Sequence, residues 1–436
     1  MKTAADAQAE EAAATGGSVL ELLSAELQRQ ERTVNLTAAS NFLSPHVQAA
    51  LHPALQNLHC EGYPGRRYHE GQLQADAIES LAVERAKRLF GAEHANVQPY
   101  RGTTAVLAAV VAALNPGETL LGLECRAGGH YTTGGSLHLI GRMFDVVTYA
   151  VCEKSHLLDY AAIEQAALGC RPRALICGDT AYPRQWDFAR LAEIADRVDA
   201  VLIADVSQTL GLIAAGALPS PVPHAGIVVG ATYKTMRGPR AGLILSRAEF
   251  GARIDRAVYP IVQGGPNISL IAGLAAALED AATPEFARYA YAVLDNARLL
   301  AQRLSRHGFD LVTGGTDNHA CLIDMRSTGL SGRAAAAALA ECGVIANANQ
   351  VPFDPGPPNR PSGLRLGTPA VTTLGMREPE ILEVADLIAE ILRTRMSGAA
   401  ADGELLGRAA ALRHRFPSPL GAASPVSPAV PAVPAL

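Results

Sequence analysis

No apolar run in the 436-residue chain is long enough to cross a bilayer. The most apolar, AVLAAVVAAL at 105–114, has only about half the length a spanning helix needs. Cysteine is scarce and shows no pairing pattern. The seven residues, at 60, 125, 152, 170, 177, 321 and 342, are odd in number and include no C-x-x-C. This excludes a disulfide scaffold and a thiolate zinc site, and is expected of reduced thiols in a cytoplasmic protein. Charge of one sign is not in excess. The net charge is −5 and charged residues make up 18 %, which gives neither nucleic acid nor an anionic membrane a footing. The opening MKTAADAQAEEAAATGG lacks the apolar centre of a secretory signal, and its acidic residues argue against a transit peptide. No internal repeat is present.

Apolar residues are plentiful, at 49 %, and they alternate between short continuous runs and amphipathic stretches. ALICGD, AVLIAD, GIVVGATY and AGLILS read as strands. TTAVLAAVVAAL and DFARLAEIADRV read as helices between such strands. Strands of this kind belong to a largely parallel sheet covered on both faces, so the expected fold is α/β with a smaller C-terminal α+β unit. The expected division is a disordered segment at 1–17, a helix and arm at 18–70 and a large domain at 71–285. A small domain at 286–398 and a Pro/Ala-rich tail at 399–436, extended from Phe416, complete it.

Three features fall at strand C-terminal ends, where an open parallel sheet binds its ligands. Gly102, Thr103 and Thr104 in QPYRGTTA open a helix, and free N–H groups there suit a phosphate, although small residues also make ordinary turns. Asp205 closes AVLIAD, and is either a helix cap or a partner for a protonated ring nitrogen. Lys234 follows the apolar GIVVGATY and precedes Arg237 and Arg240. Desolvation and neighbouring cations would both lower its pKa, as Schiff-base chemistry requires of an amine. Phosphate site, then Asp, then Lys is the order expected of a pyridoxal phosphate (PLP) enzyme.

Longer strings carry a specific likeness. EGYPGRRYHEG (61–71), ANVQP (95–99), AGGHYTTGG (127–135), YKTMRGPRAGLIL (233–245), VQGGP (262–266), GGTDNH (314–319) and GLRLGTPAVT (363–372) together resemble the serine hydroxymethyltransferase family, in order, from about residue 18 to 396. The resemblance implies a fold type I PLP-dependent transferase, similar to aspartate aminotransferase. It also implies an amino acid substrate and a homodimer, or dimer of dimers, with shared active sites. By that likeness Lys234 would carry the cofactor, Asp205 would pair its pyridine nitrogen and His130 would stack on its ring. Thr180 would reach the phenolic oxygen. Gly102 and Thr103, with Gln263, Gly264 and Gly265 of a partner chain, would cradle the phosphate. Arg365 would grip the substrate carboxylate, Glu61 would handle protons on the substrate hydroxyl and folate, and Tyr68 would lie beside the folate site. No metal is implied.

Departures from the family pattern cluster at these same places. Its ASEN reads AASN here, with Ala39 and Ser40 for serine and glutamate. Gln208 and Tyr233 stand for cofactor-contacting histidines, Ala231 for a threonine, and His59 and His69 for tyrosines. HSGSQAN reads YRGTTAV, which adds Arg101; Cys125 and Tyr131 replace leucines, and Ala348 a lysine. The expectation drawn from these changes is retained chemistry at Cα, through a quinonoid, without folate. The reaction would be an aldol or transaldol step, or an O₂-dependent oxidative decarboxylation. The setting would be specialised biosynthesis such as that of nucleoside-type natural products. The alternative is the authentic tetrahydrofolate-dependent serine–glycine reaction.

Overall fold

The computed structural model describes residues 18–357, 359–399 and 403–419. Expectations for residues 1–17 and for the end of the tail lie outside the described residues. Seven strands form the large sheet: β1 (His94–Asn96), β2 (Thr119–Leu123), β3 (Asp145–Tyr149), β4 (Ala174–Gly178), β5 (Val201–Asp205), β6 (Ile227–Ala231) and β7 (Gly242–Ser246). Their order is β1-β7-β6-β5-β4-β2-β3. The five strands from β6 to β3 pair in parallel, and only β7 runs against its neighbours.

The strands are apolar throughout because both faces are covered. On one face Leu121, Leu175, Leu202, Val228 and Leu243 enter one core. On the other, Leu120, Ala174, Ile203, Ile227 and Ile244 enter a second. Neighbouring residues thus part to opposite layers, as strand geometry requires. The helix Gly102–Ala113 is buried on most of its circumference because it lies beneath that second face.

A four-stranded antiparallel sheet in the order β8-β9-β11-β10 forms the smaller unit, from β8 (Asp310–Leu311), β9 (Ala320–Asp324), β10 (Asn347–Asn349) and β11 (Gly363–Gly367). Its core also takes Val34 and Leu36 from the N-terminal arm, whose Val34–Asn35 pairs with Val344–Ile345. The long helix Pro284–Arg306 serves both units. Phe286, Tyr289 and Val293 pack in the large core, and Leu300 and Leu304 in the small one.

The stretch assigned to a tail from 399 is not all extended. Gly403–His414 is a helix lying against Val19–Arg32, and it buries Leu405, Ala409 and Leu412 in the small core. Three apolar side chains on one face are enough to dock it. No described helix is long and apolar enough to cross a membrane.

Candidate active site

The carboxyl ends of β4, β5 and β6 lie side by side in register, Gly178 opposite Asp205 and Asp205 opposite Val229. The residues just beyond these ends therefore converge. Lys234 is only 8 % exposed, and its Nζ has no hydrogen bond or ion pair among the described residues. Burial lowers its pKa to about 8; Asp205 opposes the shift, and the cations Arg365 and Arg240 add to it. Arg237 turns to Tyr289 instead, its guanidinium 4.9 Å from the ring centre. The backbone here is fixed from outside. Asn41 donates to the Lys234 carbonyl (2.8 Å), and the Tyr289 hydroxyl donates to the Thr235 carbonyl (3.1 Å). The asparagine of AASN thus anchors the lysine turn, while the changed Ala39 and Ser40 do not.

Around this amine stand the other strand-end groups. Asp205 accepts from Ser207 N through Oδ1 (2.9 Å). His130 holds Thr132 Oγ1 at 2.8 Å, and burial lowers its pKa, so the ring is neutral at neutral pH. Arg365, on β11, donates from Nε to Asn347 Oδ1 (3.1 Å) and from Nη1 to the Thr180 carbonyl. Burial lowers its pKa to about 10, which still leaves it charged. Thr180 Oγ1 and Gln208 Oε1 are buried without a partner. Tyr233 turns aside, its ring under Arg240 at 4.3 Å.

Gly102 begins its helix in a space that admits no side chain, since a Cβ would come within 2.9 Å of Ala231 Cβ. Arg101 at the N-cap supplies no side-chain bond. The first-turn N–H groups, Gly102 and Thr103 included, therefore remain free for an acceptor.

Six of the expected residues assemble elsewhere. Glu61, His59, His69 and Tyr68 lie on the arm about the hairpin Gly62–Tyr63/Arg66–Arg67, next to Gly264 and Gly265. A Cβ on Gly265 would stand 2.9 Å from Glu61 Cγ. Tyr68 is 72 % exposed and faces Tyr259 at 6.0 Å. No described hydrogen bond or ion pair joins this group to Lys234. The segment 98–103 runs between the two groups, with Tyr100 N donating to Gln263 Oε1 (3.1 Å).

The chain matches the family model described as serine hydroxymethyltransferase over residues 13–388. It is 46 % identical to a protein named serine hydroxymethyltransferase from Koribacter versatilis, over 89 % of this chain and 90 % of that one. Proteins of the same name from Acidobacterium capsulatum and Rhodospirillum centenum are also 46 % identical. The shared stretches cover 85 % and 92 % of this chain, and 87 % and 94 % of theirs. The chain belongs to the serine hydroxymethyltransferase family. It is therefore a PLP-dependent enzyme of fold type I, and the mixed, mostly parallel sheet agrees.

The residues of this chain fit that cofactor. A buried amine without an acceptor, two orphaned buried oxygens and a glycine-opened helix start are what an aldehyde, polar ring substituents and a phosphate would complete. Two further residues of the site went unread in the sequence. Asp179 is wedged between Trp186 Nε1 (2.9 Å) and Tyr182 N (3.2 Å), and burial raises its pKa to about 7. His319 is buried, and burial lowers its pKa to about 3. His319 lies within GGTDNH, so a motif pointed to it. For Asp179 only its place one residue before Thr180 offered a sign.

The expectation of a folate-independent relative finds less support than its alternative, because every relative cited above carries the hydroxymethyltransferase name.

Proposed function

We propose that the protein interconverts serine and glycine, with tetrahydrofolate as the one-carbon acceptor. Near-full-length identity to proteins of that name supports this reading, together with one local observation: the unpartnered Lys234 amine enclosed by Asp205, His130 and Arg365. Bound PLP would supply an aldehyde for amines and a ring that disperses negative charge at Cα.

The protein's own groups do the rest. Lys234, with its pKa lowered to about 8, presents a substantial neutral fraction at mildly alkaline pH and can exchange with the substrate amine. Asp205 would hold a proton on the ring nitrogen of the bound cofactor by a charge-assisted hydrogen bond. The neutral His130 offers a flat face for stacking. Arg365 has Nη2 uncommitted among its described bonds, and it orients the substrate carboxylate. That orientation selects which Cα bond is cleaved. Glu61 moves the proton of the substrate hydroxyl.

Because Glu61 and Lys234 belong to separate groups of one chain, a complete site takes one group from each of two chains. Exposed Tyr68, Tyr100 and Ile261 around Glu61 supply apolar surface for such a contact.

A second reading keeps the same residues but replaces folate chemistry with aldol cleavage of a bulkier β-hydroxy amino acid. The imidazoles of His59 and His69 flanking Glu61 favour it. Serine turnover measured with and without tetrahydrofolate decides between them. Strict folate dependence supports the first reading. Inert serine alongside folate-free cleavage of larger β-hydroxy amino acids would replace it with the second.

A further inference from the structure

We infer that His59, Glu61 and His69 form a binding site for one divalent first-row metal ion of the zinc class. His59 and Glu61 are two apart, just before the hairpin, which brings Tyr68 and His69 back against them, with Tyr68 N donating to the Glu61 carbonyl at 3.1 Å. One ligand atom from each of the three residues lies within 4.8 Å of the other two.

The distances distinguish this cluster from an ordinary ion pair. Three other histidine–carboxylate pairs close to hydrogen-bond length: His46–Asp280 at 2.8 Å, His94–Asp255 at 3.0 Å and His307–Asp386 at 2.6 Å. Around Glu61, both Nε2 atoms stand 3.6 Å away, each from a different carboxylate oxygen. That is too long for a direct bond. Donors around a tetrahedral ion with bonds of about 2.1 Å stand roughly 3.4 Å apart, so a small side-chain adjustment from the present spacing would let all three meet one ion. The imidazoles meet edge-on, with centres 4.9 Å apart.

The backbone that carries the ligands is held rigid. Arg67 donates to the Cys60 and Gly62 carbonyls (2.9 and 2.7 Å) and is itself buried between Asp76 and Glu79. Gln72 donates to the His59 carbonyl (3.4 Å). Two imidazoles and a carboxylate make an open three-ligand set, with at least one position left for an oxygen donor such as water, a hydroxyl or an aldehyde.

The test is equilibrium dialysis of chelator-treated holoenzyme against Zn²⁺ and Co²⁺. The wild type should bind one equivalent per chain, with a Co²⁺ spectrum that lacks thiolate charge transfer. His59→Tyr, His69→Tyr and Glu61→Gln, which change exposed or half-buried side chains, should each weaken binding by roughly 100-fold or more, at or above the cost of losing an outer-shell partner. Lys234→Ala should bind as the wild type does, which separates this inference from the proposed reaction. Absence of stoichiometric binding, or unchanged affinity in the histidine variants, would overturn it.

Discussion

The Lys234 group and the Glu61 group are built on opposite plans. The first is enclosed. Its amine is buried, its neighbours come from β4, β5, β6 and β11, and several of its polar atoms have no partner among the described residues. The second is open. His59 and Tyr68 are exposed, and what is fixed is the backbone beneath them. A buried polar atom left unpaired costs about 1–3 kcal/mol, so the first group is shaped for a bound molecule that pairs its polar atoms. The second bears no such cost and is shaped to meet something from outside. On the proposed reading, the closed pocket tunes the amine and the open hairpin delivers the carboxylate.

Four expected outcomes test that division. Lys234→Ala should lower turnover by roughly a thousandfold or more, as for other residues that form the covalent link, and dialysis should strip its cofactor absorbance. Glu61→Gln should lower kcat by roughly 100-fold or more while retaining that absorbance. Mixing the two inactive chains under conditions of subunit exchange should restore activity, because one hybrid site then has both intact groups. No recovery would place both groups in one chain's site. Arg365→Ala should raise KM for serine roughly 100-fold, the loss of charge-assisted bonds worth about 3 kcal/mol, with cofactor binding unchanged by absorbance.

The smallest effect concerns pH. Burial moves the Lys234 pKa down from 10.5 to about 8, so the amine is half neutral there, almost fully neutral one unit above, and loses its neutral form below. Capture of PLP by the apoenzyme should level off above about pH 9 and slow by roughly tenfold per unit well below about pH 8. A rate still climbing towards pH 10 in stopped-flow measurements would show an exposed amine.

Much of this was legible in the sequence for a physical reason. Asp205 closes one apolar parallel strand and Lys234 follows closely on another, where parallel topology places a ligand, and Gly102 opens the helix of a strand–turn–helix unit. The Gly403–His414 helix was hidden because its docking face consists of Leu405, Ala409 and Leu412 in an alanine- and proline-rich context. Asp179 was hidden because its raised pKa comes from burial and the nearby Asp205 carboxylate, surroundings that exist only on folding. Arg237 was placed near the amine by sequence distance, yet the turn sends it to Tyr289. The substitutions at Ala39, Gln208 and Tyr233 suggested a changed reaction. Yet Asn41 keeps its hold on the lysine turn, and Tyr233 is occupied by Arg240. A changed side chain near a site need not change what the site does.

The most direct measurement is borohydride reduction of the purified holoenzyme, followed by proteolysis and peptide mass mapping. The pyridoxyl mass should appear on the peptide containing Lys234 and on no other. A label on a different lysine, or an unmodified peptide at 234 with cofactor still attached, would contradict the account.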